Sequence, residues 1–385
     1  MSAAPARLLL HVGAPHCGSV ALQTALSATP SLPTQDGQEL RYTALSPQSG
    51  GWTVLSGRSL RMAAERSIKG CTATTAPAET DSAPFFAALD RVRRKAGRTV
   101  PVLSHPGWIG QADSFATALP HWFEGETETP VDICAFARPP LDWLNAAYWR
   151  WGIWSGRGFG SWLERLGTPY TLGAALTRWA ALRGARVTLR LDADVLSGFD
   201  AACGTTLPRP ARRPTPLPPA LLGFLMRNRR YRPDADDTAT ETVFQRWCHV
   251  PDAPRLWAVL PRHLRPVRVA AQSDLDLLFA LLPAEQAEAV RAAPSGWTSD
   301  APYEALLRRG RASLEDSEEL AQLYRALGRG VGLAAEAAGK PVPQLQPVMS
   351  TRTSVHAWDV AVAQALEHLI ALDTDVRRRR RPFGL

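Results

Sequence analysis

The stretch Arg7–Leu26 (RLLLHVGAPHCGSVALQTAL) limits the choice of fold more than any other part of the chain. The apolar run Leu8–Val12 is too short for a helix and stops at Gly13, the pattern of a buried strand. Gly13 to Gly18 then forms a turn containing two glycines. Ser19–Leu26 follows with Val20, Leu22 and Leu26 at helical spacing and Ser19 near the N-cap. Strand, tight loop and helix in that order leave free backbone N–H groups at the positive end of the helix, a place where a phosphate-like anion binds. An ordinary strand–helix turn is the alternative reading of the same residues.

The glycine spacing G-x-x-x-x-G is that of a Walker-type loop, but Ser19 stands where a nucleotide triphosphatase has lysine, and Val20 where it has the hydroxyl that holds Mg²⁺. That argues against a P-loop kinase or ATPase. The charge argues against a nucleic-acid partner. Of the formal net charge of +8, the run Arg377–Arg381 carries five units, and the remaining body is only mildly basic. The run itself reads as a solvated tail, with contact to an acidic polymer or anionic lipid as the alternative. The five cysteines, Cys17, Cys71, Cys134, Cys203 and Cys248, are odd in number and form no C-x-x-C pair, which speaks against a disulfide framework or a zinc site; no metal is expected. Cys17 stands apart from the others, because a helix N-terminus lowers a thiol pKa. No apolar run nears the ~18 residues that cross a bilayer, and Leu8–Val12 is too short for an export signal. A cytoplasmic protein is the expectation.

Length and hydrophobic content allow one large α/β domain with a helical extension, or two domains. Further strands are predicted at Thr99–Ser104, Val131–Ala137 and Val187–Leu191, and helices at Ala83–Lys95, Leu141–Trp151 and Leu172–Leu182, with short amphipathic helices in the second half that include Leu275–Leu282 and Ser317–Leu327. Ser27–Gly70, rich in Ser, Thr, Gly, Pro and Gln, reads as a long connection with short elements. Arg138 ends a strand, and Pro139 and Pro140 stop that strand; the end of a strand beside a helix start suits an anion. The aromatic residues Trp143, Tyr148, Trp149, Trp151, Trp154, Phe159 and Trp162 read as core, or as a surface on which a base or sugar stacks. The predicted organisation is an α/β core over residues 1–207, a Pro/Arg-rich connector over 208–219, a helical region over 220–345, and a final helix with an arginine-rich tail over 346–385.

The loop Pro15-His16-Cys17-Gly18-Ser19-Val20 resembles the 5′-phosphosulfate loop of the sulfotransferase family, with His16 in place of the family's lysine. VDICAFARPPLDWLNAAYWRW resembles that family's 3′-phosphate motif: Arg138 matches its arginine, and Ala146 occupies the place of its serine. LTRWAALRGARVTLRLDADVL and RRPTPLPPALLGFLMRNRR are similar to later family phrases, so the resemblance covers roughly residues 7–230. It implies a mostly parallel sheet flanked by helices, of the P-loop NTPase-like sulfotransferase fold, to which the amphipathic segments of the second half add a largely helical C-terminal half. It also implies 3′-phosphoadenosine 5′-phosphosulfate (PAPS) as co-substrate, and transfer of a sulfuryl group to a hydroxyl of a carbohydrate, lipid or small metabolite. Pro15, His16, Cys17, Gly18, Ser19, Val20, Arg138 and Ala146 would then meet the nucleotide. Where bacterial relatives end a strand in Ser-Ser-Glu, this chain reads Ser104-His105-Pro106, so His105 would serve as base and His16 as acid or phosphosulfate contact. The other reading is a catalytically degenerate relative that binds a nucleotide or a partner protein.

Overall fold

The computed structural model describes residues 7–123, 130–167, 170–209, 217–292, 295–348, 350 and 352–379. Part of the proline-rich connector and the end of the arginine run, from residue 380, lie outside them. The elements run β1 (Leu8–Gly13), α1 (Ser19–Ala28), β2 (Ser31–Pro33), β3 (Glu39–Gln48), β4 (Gly51–Ser56), α2 (Gly57–Arg66), α3 (Ser82–Arg94), β5 (Thr99–Ser104), α4 (Ala112–Ala118), α5 (Pro120–Phe123), β6 (Val131–Phe136), α6 (Pro140–Arg150), α7 (Phe159–Leu166), α8 (Leu172–Ala180), β7 (Ala185–Arg190) and α9 (Val195–Cys203). The described residues beyond these add α10 (Pro219–Arg227), α11 (Ala239–Trp247), α12 (Pro261–Ala280), α13 (Ala284–Ala292), α14 (Glu304–Arg309), α15 (Ser317–Ala338) and α16 (Val355–Arg379).

The protein is an α/β protein with a mostly parallel, curled sheet and a helical C-terminal region. Its chain divides into two interleaved units. One comprises Met1–Leu144, Thr168–Ala211 and Arg265–Pro302; the other comprises Asn145–Gly167, Arg212–Leu264 and Tyr303–Leu385. The first unit holds the seven-stranded sheet, in the order β2–β3–β5–β1–β6–β7, with β4 on β3. β3, β5, β1, β6 and β7 run parallel, while β2 and β4 pair antiparallel with β3. β1 lies at the centre, with every residue buried, as a strand covered on both faces requires. The connections out of β1 and β5 travel in opposite directions along the sheet, so right-handed crossovers put them on opposite faces. α1 packs with α2 and α9, and α4 packs with α3 and α8.

The same unit recruits a late part of the chain. Asp274 of α12 accepts the N–H groups of Gly173 and Ala174 at 2.7 and 2.8 Å, capping the start of α8. Gly173 is required for the approach, since a Cβ there would lie 2.1 Å from the Asp274 carbonyl oxygen.

The second unit is helical. α15 packs along α16, burying Leu320, Leu323, Leu327 and Val331 together with Trp358, Val362, Leu366 and Leu369. α11 crosses both helices, close enough to α15 that a Cβ on Gly330 would lie 2.4 Å from Cys248 Sγ. Arg232 and Glu241 form an ion pair with both side chains buried, and Arg232 also donates to the carbonyls of Arg150 and Ala235 at 2.9 Å. The Arg232 guanidinium lies over the Trp154 ring at 4.1 Å.

The structure departs from the sequence expectation in three places. Ser27–Gly70 contains the ten-residue strand β3, the β4 hairpin arm and α2, because Leu40, Tyr42, Ala44 and Leu45 are buried against the sheet despite their polar surroundings. α12 extends back through Pro266 to Pro261, whereas only Leu275–Leu282 was predicted. α15 continues through Gly328, Gly330 and Gly332, well beyond the predicted end at Leu327.

The buried Arg232–Glu241 pair gives a stability test. Glu241→Ala strands a buried guanidinium and is expected to cost about 3–5 kcal/mol in chemical denaturation. The double variant Arg232→Met/Glu241→Leu is expected to recover most of that loss, and equal losses in the two variants would contradict the pairing.

Candidate functional site

β1 leaves the sheet toward one face while its neighbours β5 and β6 leave toward the other, which makes the carboxyl end of β1 a topological switch point. Three segments converge there: the β1–α1 loop, His105 after β5, and Arg138 after β6. In sheets of this kind, ligands bind in the crevice outside the strand ends at such a point.

The loop is tightly constrained. Gly13 has φ 125° and Gly18 has φ 96°, and both pass close to neighbouring atoms. A Cβ on Gly13 would lie 2.3 Å from the Pro106 carbonyl oxygen, and one on Gly18 would lie 2.9 Å from the Val195 side chain. His16 takes φ 63°, a left-handed conformation that costs a non-glycine residue on the order of 1–3 kcal/mol and is common at ligand-gripping turns. The Ala14 N–H donates to the Phe136 carbonyl at 3.0 Å, and Trp143 Nε1 donates to the Pro15 carbonyl at 2.9 Å, tying the loop to β6 and α6. The His16 ring stands edge-on to Trp143, with centroids 6.3 Å apart. α1 starts at Ser19 with no side-chain cap, so its first-turn N–H groups retain their donor capacity.

Cys17 and Arg138 are neighbours. The Arg138 backbone N–H reaches the Cys17 sulfur, and the guanidinium lies near enough to favour the thiolate. Burial nevertheless dominates and pushes the thiol up to about 12, so the low pKa considered for a cysteine at a helix start is not what the site produces. Arg138 itself is exposed, and among the described residues no carboxylate lies within ion-pair distance of it. Tyr170 Oη donates to its carbonyl at 2.8 Å.

The remaining predicted residues divide by what their side chains can offer. The Ser19 hydroxyl turns back toward the Ala14 carbonyl at 3.5 Å, and Val20 is 53% exposed, so both face a ligand chiefly through backbone N–H groups. Ala146 lies in α6 and belongs to the second unit; its methyl offers no polar contact. Tyr148, Trp149, Phe159 and Trp162 pack on one another within that unit, with Tyr148 5.4 Å from Phe159 and 5.5 Å from Trp162. The described residues include no group of His, Cys, Asp and Glu side chains that could hold a metal ion.

A buried polar chain beneath the site escaped the sequence reading. Ser104 Oγ lies 2.7 Å from His11 Nδ1 and accepts from Gln23 Nε2 at 3.0 Å, and Tyr42 also reaches this hydroxyl. His11 is fully buried, and its pKa falls to about 3, first through burial and then through the nearby His105. A histidine inside an apolar strand is the signal that marks this chain. Elsewhere, a groove of about 820 Å³ in the second unit is lined by Arg227, Arg230, Asp359 and Glu367 among others, but its arginines are already tied to carboxylates.

The chain matches no protein-family model, no curated protein and no solved structure.

Two outcomes follow from these groups. Cys17 is expected to resist iodoacetamide in the native protein and to react only after denaturation, as read by peptide mass mapping; rapid native labelling would contradict the burial. Acid destabilises through His11: the unfolded ring binds a proton near pH 6.5 and the folded ring only near 3, so the native state holds fewer protons in between and loses stability as the pH falls. From pH 6.5 to about 5 this group is expected to contribute a loss of about 1.5 kcal/mol. His11→Gln should flatten that part of the stability–pH curve, and an unchanged slope would count against the buried neutral ring.

Proposed function

We propose that the switch-point site binds PAPS and that the protein is a cytoplasmic sulfotransferase-like enzyme acting on a hydroxyl of a carbohydrate, lipid or small metabolite. The observation carrying this reading is the meeting of the uncapped β1–α1 loop with Arg138, which has no ion-pair partner among the described residues, at the carboxyl ends of adjacent parallel strands. The residues present suit such a nucleotide. Gly13 and Gly18 keep the loop free of Cβ atoms where space is tightest, and the first-turn N–H groups would receive the phosphosulfate. Arg138, with no carboxylate partner among the described residues, would hold the 3′-phosphate. Transfer would proceed by attack of the acceptor oxygen on sulfur, with 3′,5′-bisphosphoadenosine leaving, and positioning and charge stabilisation would be the protein's main work. None of the five cysteines forms a disulfide, which suits a reducing compartment.

A second reading has its own support. The strand-end phrase Ser104-His105-Pro106 holds no carboxylate, and the Ser19 hydroxyl is turned into the loop, which favours a relative that binds a nucleotide without transferring sulfate.

Thermal shift separates these readings from a kinase. Saturating 3′,5′-bisphosphoadenosine is expected to raise Tm, with roughly 2.7 kcal/mol of stabilisation at a hundredfold excess over Kd, while Mg-ATP leaves it unchanged. Arg138→Ala should abolish the bisphosphoadenosine shift, and a retained shift would remove Arg138 from the site. Transfer of labelled sulfate from PAPS to an acceptor then distinguishes the enzyme from the binder.

A further inference from the structure

His105 leaves the carboxyl end of β5 with its ring held in one orientation. Its Nδ1 accepts the Gly107 backbone N–H at 3.1 Å, and the Trp108 ring centroid is 5.5 Å from its own. Gly107 lies outside the left-handed region, so what requires glycine there is room for the imidazole: a Cβ would stand 2.9 Å from His105 Cε1. A ring nitrogen that accepts a hydrogen bond carries no proton, so the neutral ring holds its proton on Nε2. Nε2 makes no bond to any described residue and is not sealed from solvent. Burial also lowers the His105 pKa, which favours the neutral ring.

We propose that His105 is a fixed, neutral hydrogen-bond donor that holds an anionic oxygen of the ligand through Nε2–H, and not the base that takes an acceptor's proton. For Nε2 to accept a proton, the ring proton would have to move to Nδ1, where it would face the Gly107 N–H donor to donor. The identity of the ligand rests on the nucleotide reading above, while the tautomer rests on the loop geometry alone.

Nitrogen-15 NMR of histidine-labelled protein tests both parts, with the His105 signals assigned by their loss in His105→Asn. The free protein is expected to show the Nε2–H tautomer, with no titration midpoint near the ordinary histidine value. An Nδ1–H tautomer, or a midpoint near that value, would overturn the proposal. Addition of 3′,5′-bisphosphoadenosine should shift the His105 Nε2 signal, and Gly107→Ala, which crowds the ring, should weaken binding of the same probe about tenfold with the far-UV spectrum unchanged. A probe that raises Tm but leaves the His105 signals unmoved would overturn the donor role and spare the nucleotide reading. A probe that produces no Tm shift would overturn both.

Discussion

The central strand β1 is buried on both faces and hydrogen-bonded on both edges, and the geometry of the candidate site follows from that confinement. A chain leaving such a strand has little room in which to turn. The Pro106 carbonyl crowds it at Gly13 and Val195 crowds it at Gly18, which leaves glycine as the fitting residue at both places. The turn therefore presents backbone N–H groups rather than side chains to the crevice. A loop of this kind recognises an anion by partial charge and shape, and it needs a full positive charge from another segment to complete the site. In the proposed reading, Arg138, delivered by the neighbouring strand, would supply it.

Three titratable groups at the ends of β1 and β5 and in the loop that follows β1 stay uncharged. His11 is held uncharged by burial, His105 is locked by the Gly107 N–H, and the Cys17 thiol keeps its proton. The polar chain of His11, Ser104, Gln23 and Tyr42 lies beneath the crevice and holds β1, β5 and α1 in register through side chains as well as through the sheet ladder. Such a floor adds no negative charge beneath the crevice.

Much of this arrangement was legible in the chain because it depends on local signals. Short apolar runs ending in Gly13, Ser104 and the Arg138–Pro139–Pro140 phrase marked the central strands, and the glycine pair marked the turn. β3 and α2 were hidden because their burial comes from partners distant in sequence, which overrides a polar, proline-containing composition. The full lengths of α12 and α15, of which only short segments were legible, were hidden for a related reason. Pro266 lies near the start of α12, and the α15 glycines, which weaken an isolated helix, are stabilised by close packing such as that of Cys248 against Gly330. Side-chain tautomers and orphaned nitrogens cannot be read from residue order, so the roles of His11 and His105 emerged only from their contacts.

The cap that Asp274 places on α8 also bears on how the chain is born. A ribosome working from the amino terminus releases the whole sheet, through Arg190, long before it reaches this carboxylate. Until then the opening turn of α8 has its Gly173 and Ala174 amides open to water, and the apolar surface later covered by Ala271, Leu275 and Leu278 stays exposed. The nascent α/β unit must therefore wait, incomplete, while an intervening part of the other unit is synthesised, so a fragment cut at the proline-rich connector would inherit that unfinished surface permanently.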